Sequence, residues 1–478
     1  MGRDVLLLYM SPKNANYKTQ TNEGAVRYLI KEKETPDCIL ALCSETVRKK
    51  AMVEMPDGST CTTLEYFRDA LRRVGIPAER LVVIEVPDSM DDEKKQFQAI
   101  SQLLDKINEG DTLSIDLSGG MRDTAMLLVT AARCMRDLRG VQTRRVIYAE
   151  LRGEEPVAHD RTQLYDLFDF VTAMDAFFST GTAQKLKSYL WSEGEKDPVL
   201  HTLLTRINQF SEDLALCRVQ KLNDDLNQIA QALKETPKKS QNLTDLFFRL
   251  LKDRFSTEFA ELLSSGEKAL PALVSWCADH GMYQQALTLL CEQMPEYVCQ
   301  HIFVQPTERG WEYLAAQMQN RGKPWVYPLF HFHFCRLTLL QKEHPYTTDL
   351  RLTLSRDDAE GNMLFGVADD AEIHDYLDMA LASDQLVIDP AIRPQLERAA
   401  LLYQRVMQYR NQINHASAND LGLQSERVLP LDTENIEDTL QEIAVYLHEI
   451  RPLKRNVPQG IKALPVTKTI PAGTAPNL

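Results

Sequence analysis

Residues 112–124 read TLSIDLSGGMRDT. The first seven, TLSIDLS (112–118), form an apolar run of strand length. A Gly-Gly pair follows, and from position 121 the pattern turns helical and stays so to 139. A strand that passes through a tight turn into a helix is the repeating unit of an α/β sheet. Working outward, VLLLYM (5–10), CILALCS (38–44), LVVIEVP (81–87) and RVIYAEL (145–151) are runs of the same kind. Helical patterns over 23–33, 64–74 and 92–108 separate them. Strands alternating with helices predict a Rossmann-like, doubly wound parallel sheet, buried on both faces, over residues 1–152.

In such a sheet, ligands bind beyond the carboxyl ends of the strands, near the point where the strand order reverses. The loop after the first strand, SPKNANYKTQTNEG, offers Ser11, Lys13 and Asn14, and Ser44 follows the second strand. The loop after TLSIDLS offers Ser118, Gly119, Gly120, Arg122 and Thr124. Paired glycines let backbone approach a ligand closely. A helix N-terminus favours phosphate, and an arginine adds a charged fork of donors. The loop has neither GxxxxGK[ST] nor GxGxxG, which argues against an NTP-hydrolysing P-loop and against a dinucleotide cofactor. The alternative is that the glycines merely turn the chain.

Beyond position 152 the periodicity becomes helical, with helices expected over 164–179, 182–192, 200–235, 242–264, 268–278, 282–293, 308–319, 325–342, 372–383, 390–416 and 433–450. The alternating stretch at 349–367 reads as a possible β-hairpin insertion. HFHFC (331–335) could be imagined as metal ligands, but no second ligand pair follows, so a buried aromatic segment is the simpler reading. The last residues, 453–478, are Pro- and Lys-rich and read as a loosely ordered tail.

Within 390–416, Asp389 and Pro390 supply a cap and a start. Leu402, Val406, Tyr409 and Ile413 fall on one stripe. Arg410, Asn411, Asn414 and His415, in the stretch YRNQINHA (409–416), fall on the opposite side within an arc of about 140°. That set suits RNA cleavage without metal. A histidine can move protons near neutral pH, an arginine can stabilise a pentacoordinate phosphorane, and an asparagine can orient either. Arg-x₄-His alone is a weak signal, and the plain alternative is a surface helix with a satisfied histidine.

The net charge is −14, whereas a protein that coats nucleic acid non-specifically is usually basic, so RNA, if handled, is expected at a local site. No apolar run is long enough to span a membrane. The N-terminus reads as a first strand, not a signal peptide. Nine cysteines, an odd number without CxxC pairs, point to a reducing, cytoplasmic setting rather than disulfides or zinc.

Together these features resemble the CARF–HEPN ribonucleases, accessory effectors of type III CRISPR systems. SGGMRDT (118–124) looks like the CARF ligand loop and DFVTAMDAFFSTGTAQKL (169–186) like the connecting helices. MYQQALTLLCE (282–292) looks like an early helix of the helical half, and RNQINH (410–415) matches the R-x(4–6)-H motif with its frequent Asn. The resemblance implies a CARF domain at 1–152, a helical linker at 153–195 and a HEPN nuclease domain at 196–452.

It implies a homodimer that binds one cyclic oligoadenylate across both CARF domains, cyclic tetra-adenylate favoured and cyclic hexa-adenylate possible. No other cofactor and no metal is implied. The substrate would be single-stranded RNA, cut to leave a 2′,3′-cyclic phosphate. The link to the interference complex would be functional rather than physical. By the same resemblance Arg410, Asn411 and His415 are catalytic. Ser11, Asn14, Ser44, Ser118, Gly119, Gly120, Arg122 and Thr124 contact the ligand. Two other classes stay open: a cyclic-nucleotide sensor or ring nuclease with a non-catalytic helical scaffold, and a transcription regulator. The latter would want a basic winged helix that the acidic second half does not offer.

Overall fold

The computed structural model describes residues 2–55, 58–89, 92–120, 122–152, 155–192, 197–218, 220–235, 243–265, 269–309, 325–326, 373–374, 377–378, 381–382, 384, 386–415, 429–463 and 469–470. The chain divides into two compact units, Met1–Val171 and Thr172–Leu478.

In the first unit the elements run β1 (Asp4–Tyr9), α1 (Glu23–Lys31), β2 (Cys38–Cys43), β3 (Met52–Glu54), β4 (Thr60–Thr62), α2 (Thr63–Arg73), β5 (Leu81–Glu85), α3 (Glu93–Leu104), β6 (Thr112–Asp116), α4 (Arg122–Arg139), β7 (Gln142–Arg152) and β8 (Glu155–Asp160). A helix, α5 (Thr162–Thr180), carries the chain across the boundary. The main sheet has six strands in the order β5-β2-β1-β6-β7-β8. Pairing is parallel from β5 through β7, with Leu8 opposite Asp116 between β1 and β6. The order reverses at β1 and β6, which makes their carboxyl ends the switch point.

The apolar runs become strands because both faces are covered. Val5, Leu7, Leu113 and Ile115 pack with Leu128 and Met135 of α4. Leu6, Leu8, Ile39 and Ala41 pack with Leu29 of α1 and Phe67 of α2. Each fully buried Leu or Phe contributes about 1.5–3 kcal/mol relative to exposure. A capping box, with Glu65 N donating to Thr62 Oγ1 at 3.2 Å and Thr62 N to Glu65 Oε2 at 2.8 Å, starts α2.

Two features correct the expected all-parallel sheet. The sixth strand, β8, pairs antiparallel with β7, and β3 and β4 form a small antiparallel ribbon. β3 and β4 have three residues each and β8, EPVAHD, carries Glu155, His159 and Asp160, so none of the three produces an apolar run.

In the second unit the elements are α6 (Gln184–Ser192), α7 (Pro198–Ala215), α8 (Leu222–Ala232), α9 (Leu243–Glu258), α10 (Ala260–Ser265), α11 (Leu270–Asp279), α12 (Tyr283–His301), β9 (Val304–Pro306), β10 (Trp325–Val326), β11 (Leu386–Ile388), α13 (Arg393–His415), α14 (Thr433–Ile450) and β12 (Thr469–Ile470). The single helix expected over 200–235 is two, broken at Cys217, which adopts a left-handed φ of 51°. The helix expected over 282–293 runs on through Pro295 to His301. Asp389 caps a short 3₁₀ turn, Ala391 N donating to its Oδ1 at 3.0 Å, before α13 begins.

The tail expected to be loose is held over its first part: Leu453 O accepts from His301 Nδ1 at 3.3 Å and Lys462 O from Gln305 Nε2 at 3.1 Å. The helix expected over 308–319 is described only at 308–309, which are helical, and the helix expected over 325–342 is corrected at its start, where Trp325–Val326 forms β10, paired antiparallel with β12. The rest of both, the hairpin at 349–367 and HFHFC lie outside the described residues.

Candidate functional site

At the switch point the loop after β6 closes on the end of β1 through a buried carboxylate. Asp116, the last residue of β6, is fully buried. Its Oδ1 accepts from Ser118 N at 2.9 Å and from Ser118 Oγ, and its Oδ2 from Asn22 Nδ2 at 2.7 Å. Asn22 Nδ2 also reaches Tyr9 O at 3.1 Å, and Asn22 Oδ1 accepts from Ser11 N at 3.1 Å. Ser118 Oγ in turn accepts from Ala149 N at 2.6 Å. The result is a continuous chain, Ser11–Asn22–Asp116–Ser118, that ties both switch-point loops together.

The glycines have clear structural causes. A Cβ at Gly119 would overlap the carbonyl oxygen of Tyr9, so the loop lies directly on the end of β1. Gly120 takes φ +84°, and a Cβ there would overlap Thr124 Oγ1. Thr124 is buried and donates from Oγ1 to Gly119 O at 3.1 Å. We expect Gly119→Ala to cost about 3 kcal/mol, because strand backbone cannot retreat from the added methyl. A urea midpoint equal to wild type would contradict the close approach.

The predicted ligand residues therefore divide. Ser118, Gly119, Gly120, Thr124 and the backbone of Ser11 come together. The hydroxyls of Ser118 and Thr124 are committed inside the loop, whereas the amides of Gly119 and Gly120 make no hydrogen bond among the described residues. Those amides and the first turn of α4 are donors of the kind that could take an anion. Arg122 opens α4, but its side chain lies outside the described residues.

Ser44 sits apart at the end of β2, buried, with Val47 N donating to its Oγ at 3.4 Å. Asp88 is beside it. The amide of Thr46, donating at 2.6 Å, is the leading cause holding that carboxylate below the ordinary range. Asp88 Oδ2 also pairs with Lys50 Nζ at 3.1 Å. Asn14 is exposed and builds its own turn, its Oδ1 accepting from Asn16 N at 2.9 Å.

Asp116 and Asn22 were missed by sequence reasoning. An acid ending an apolar strand beside a Gly-Gly loop was the available signal for Asp116; Asn22, 94 residues away, gave none.

Burial pushes the Asp116 carboxyl up from 3.8 to about 6, against the hydrogen bonds from Ser118 and Asn22. Between those values the folded protein holds a proton that the unfolded chain has released. The contribution of Asp116 to stability therefore declines as pH rises through that window and is flat above it. The stability of wild type minus that of Asp116→Asn, from urea unfolding between about pH 4 and about pH 7, should fall with rising pH. A difference independent of pH would contradict this assignment.

In the second unit, α13 carries the other candidates. Of the predicted stripe, Leu402, Val406 and Tyr409 are buried and Ile413 is half-buried. Asn411 and Asn414 are exposed and Arg410 is half-buried. Arg410 Nη1 donates to Asn411 Oδ1 at 3.3 Å, its Nε is buried without a hydrogen-bond partner, and no carboxylate among the described residues forms an ion pair with it. Part of the polar arc meets α12. Gln284 Nε2 of α12 donates to Asn414 Oδ1 at 3.3 Å, and the charge of Arg410 reaches Cys291 of α12. Burial pushes the Cys291 thiol up to about 12 despite that cation. His415 ends α13, its side chain outside the described residues. Asn411 and His415 are i, i+4 positions of α13.

No helix among the described residues is long and apolar enough to cross a membrane. No protein-family model matches the chain, and no curated protein does. Among solved structures, Enterococcus italicus Csm6 bound to cyclic hexa-2′-fluoro-hexa-dAMP matches over 95% of both chains, at 11% identity and a TM-score of 0.29. A TM-score at that level does not establish a common fold, so the functional reading rests on this chain's own residues.

Proposed function

We propose that this protein is a cyclic-oligoadenylate-activated endoribonuclease of type III CRISPR defence, acting as a homodimer on single-stranded RNA. The switch-point loop takes the ligand's phosphates on the amides of Gly119 and Gly120 and on Arg122. Arg410, Asn411 and His415 cut RNA. In that reaction the bond from the 2′-oxygen to phosphorus forms and the bond from phosphorus to the 5′-oxygen breaks, leaving a 2′,3′-cyclic phosphate and a 5′-hydroxyl. One histidine takes the 2′-hydroxyl proton and a second gives a proton to the leaving oxygen. One chain supplies a single His415, so two α13 helices from two copies make the complete site.

The observation that carries this reading is Arg410. Among the described residues its guanidinium has no carboxylate partner and one long hydrogen bond, beside exposed Asn411 and one turn from His415. A half-buried cation left unpaired suits an anion that arrives from outside.

A second reading, a cyclic-nucleotide sensor or ring nuclease whose helical half is a scaffold, is favoured by the engagement of Asn414 with Gln284 and of Arg410 with the α12 seam. The two part on one experiment. Purified protein is incubated with labelled single-stranded RNA and cyclic tetra- or hexa-adenylate, and ligand binding is followed in parallel by melting temperature. A ligand-induced melting shift without RNA cleavage would select the scaffold reading.

A further inference from the structure

The seam between α12 and α13 contains an irregularity with a specific complement. Pro295 lies inside α12 and has no amide hydrogen to give the carbonyl of Cys291 four residues back. Tyr403 of α13, almost fully buried, donates its hydroxyl to that carbonyl at 2.9 Å. Cys291 Sγ lies 3.4 Å from Met407 Sδ, and Gln284 reaches Asn414 one end further along.

On α13, Tyr403, Met407, Arg410 and Asn414 fall within an arc of about 60°. On α12, Gln284, Cys291 and Pro295 fall within an arc of about 40°. The contacts run antiparallel, from Cys291 with Tyr403 to Gln284 with Asn414. Arg410 thus belongs to the same seam.

The Cys291–Met407 contact joins a thiol and a thioether, which are soft and weakly directional. Gln284–Asn414 is a hydrogen bond between exposed side chains, whereas Tyr403 is buried and its bond to the Cys291 carbonyl is part-buried, so the Tyr403 tie competes less with water.

We infer that the Tyr403 hydroxyl and the carbonyl exposed by Pro295 form a register lock that fixes α13 along α12, making Tyr403 a positioning residue for Arg410. Its effect on turnover rests on the ribonuclease reading. Its effect on the fold does not.

The test compares wild type, Tyr403→Phe and the double variant Pro295→Ala/Tyr403→Phe in the full chain. Tyr403→Phe keeps the ring and leaves the Cys291 carbonyl without its donor, so the urea midpoint should fall. Turnover with ligand present should drop roughly tenfold or more with KM unchanged, since a small misplacement of a charge-stabilising group costs rate. In the double variant the Pro295→Ala change returns an amide hydrogen to the Cys291 carbonyl, so the midpoint should recover. The tie between helices stays absent, so turnover should stay low. An unchanged midpoint in Tyr403→Phe refutes the lock and leaves the ribonuclease reading standing. Turnover that recovers with the midpoint in the double variant shows a merely structural hydroxyl and overturns the positioning role. Wild-type protein that cuts no RNA with any cyclic oligoadenylate refutes the ribonuclease reading and the positioning role with it.

Discussion

Cleavage of single-stranded RNA is expected to fall about a thousandfold in His415→Ala, because proton transfer by a positioned side chain contributes about 10²–10⁴ in rate. His415 is the last residue of α13, beyond the buried stripe that ends at Tyr409, so the substitution should leave the fold intact. The melting shift produced by cyclic oligoadenylate should also be unchanged, since the ligand loop belongs to the other unit. Mixing chains sharpens the point. If two histidines make one site, a heterodimer of wild type with His415→Ala is nearly dead. Excess variant then suppresses activity more steeply than dilution. Activity proportional to the wild-type chain, in chains shown to exchange, would refute the composite site.

Arg410→Ala should cost about 10²–10³ in turnover, the range for removing one donor aimed at charge that develops in the transition state. The stability consequence separates this from a packing role. Arg410 Nε is buried without a hydrogen-bond partner and the guanidinium pairs with no carboxylate among the described residues. Its removal therefore relieves an uncompensated buried donor and should leave the urea midpoint at or above wild type. A loss of turnover that tracks a loss of stability would show that Arg410 only supports α13 against α12. Arg410→Lys should recover little, because a point charge does not reproduce the planar fork.

The sequence was most legible where burial is two-sided. β1, β2, β5 and β6 announce themselves as apolar runs because helices cover both faces. β8 did not, since EPVAHD alternates weakly and Val157 is 41% exposed. The break between α7 and α8 was hidden because Cys217 takes the left-handed turn with no Gly or Pro to mark it. Arg218 N closes that turn on Asp213 O at 2.8 Å, a contact periodicity does not carry.

At the switch point the Gly-Gly loop was readable, but its purpose was not. Only the fold brings Gly119 onto the Tyr9 carbonyl and links Asp116 to Asn22. The α13 stripe of Leu402, Val406 and Tyr409 was equally plain. The second stripe, which meets α12 through Tyr403, joins residues 112 apart in sequence and needs the fold to be seen.

The most direct measurement is the rate at which the purified chain cuts labelled single-stranded RNA, with EDTA present, with and without cyclic tetra-adenylate or cyclic hexa-adenylate. The account predicts that one of these ligands, and not ATP at the same concentration, raises the rate about tenfold or more. It also predicts products ending in a 2′,3′-cyclic phosphate. Protein that binds the ligand, as its melting temperature reports, yet leaves RNA intact under every condition would contradict it.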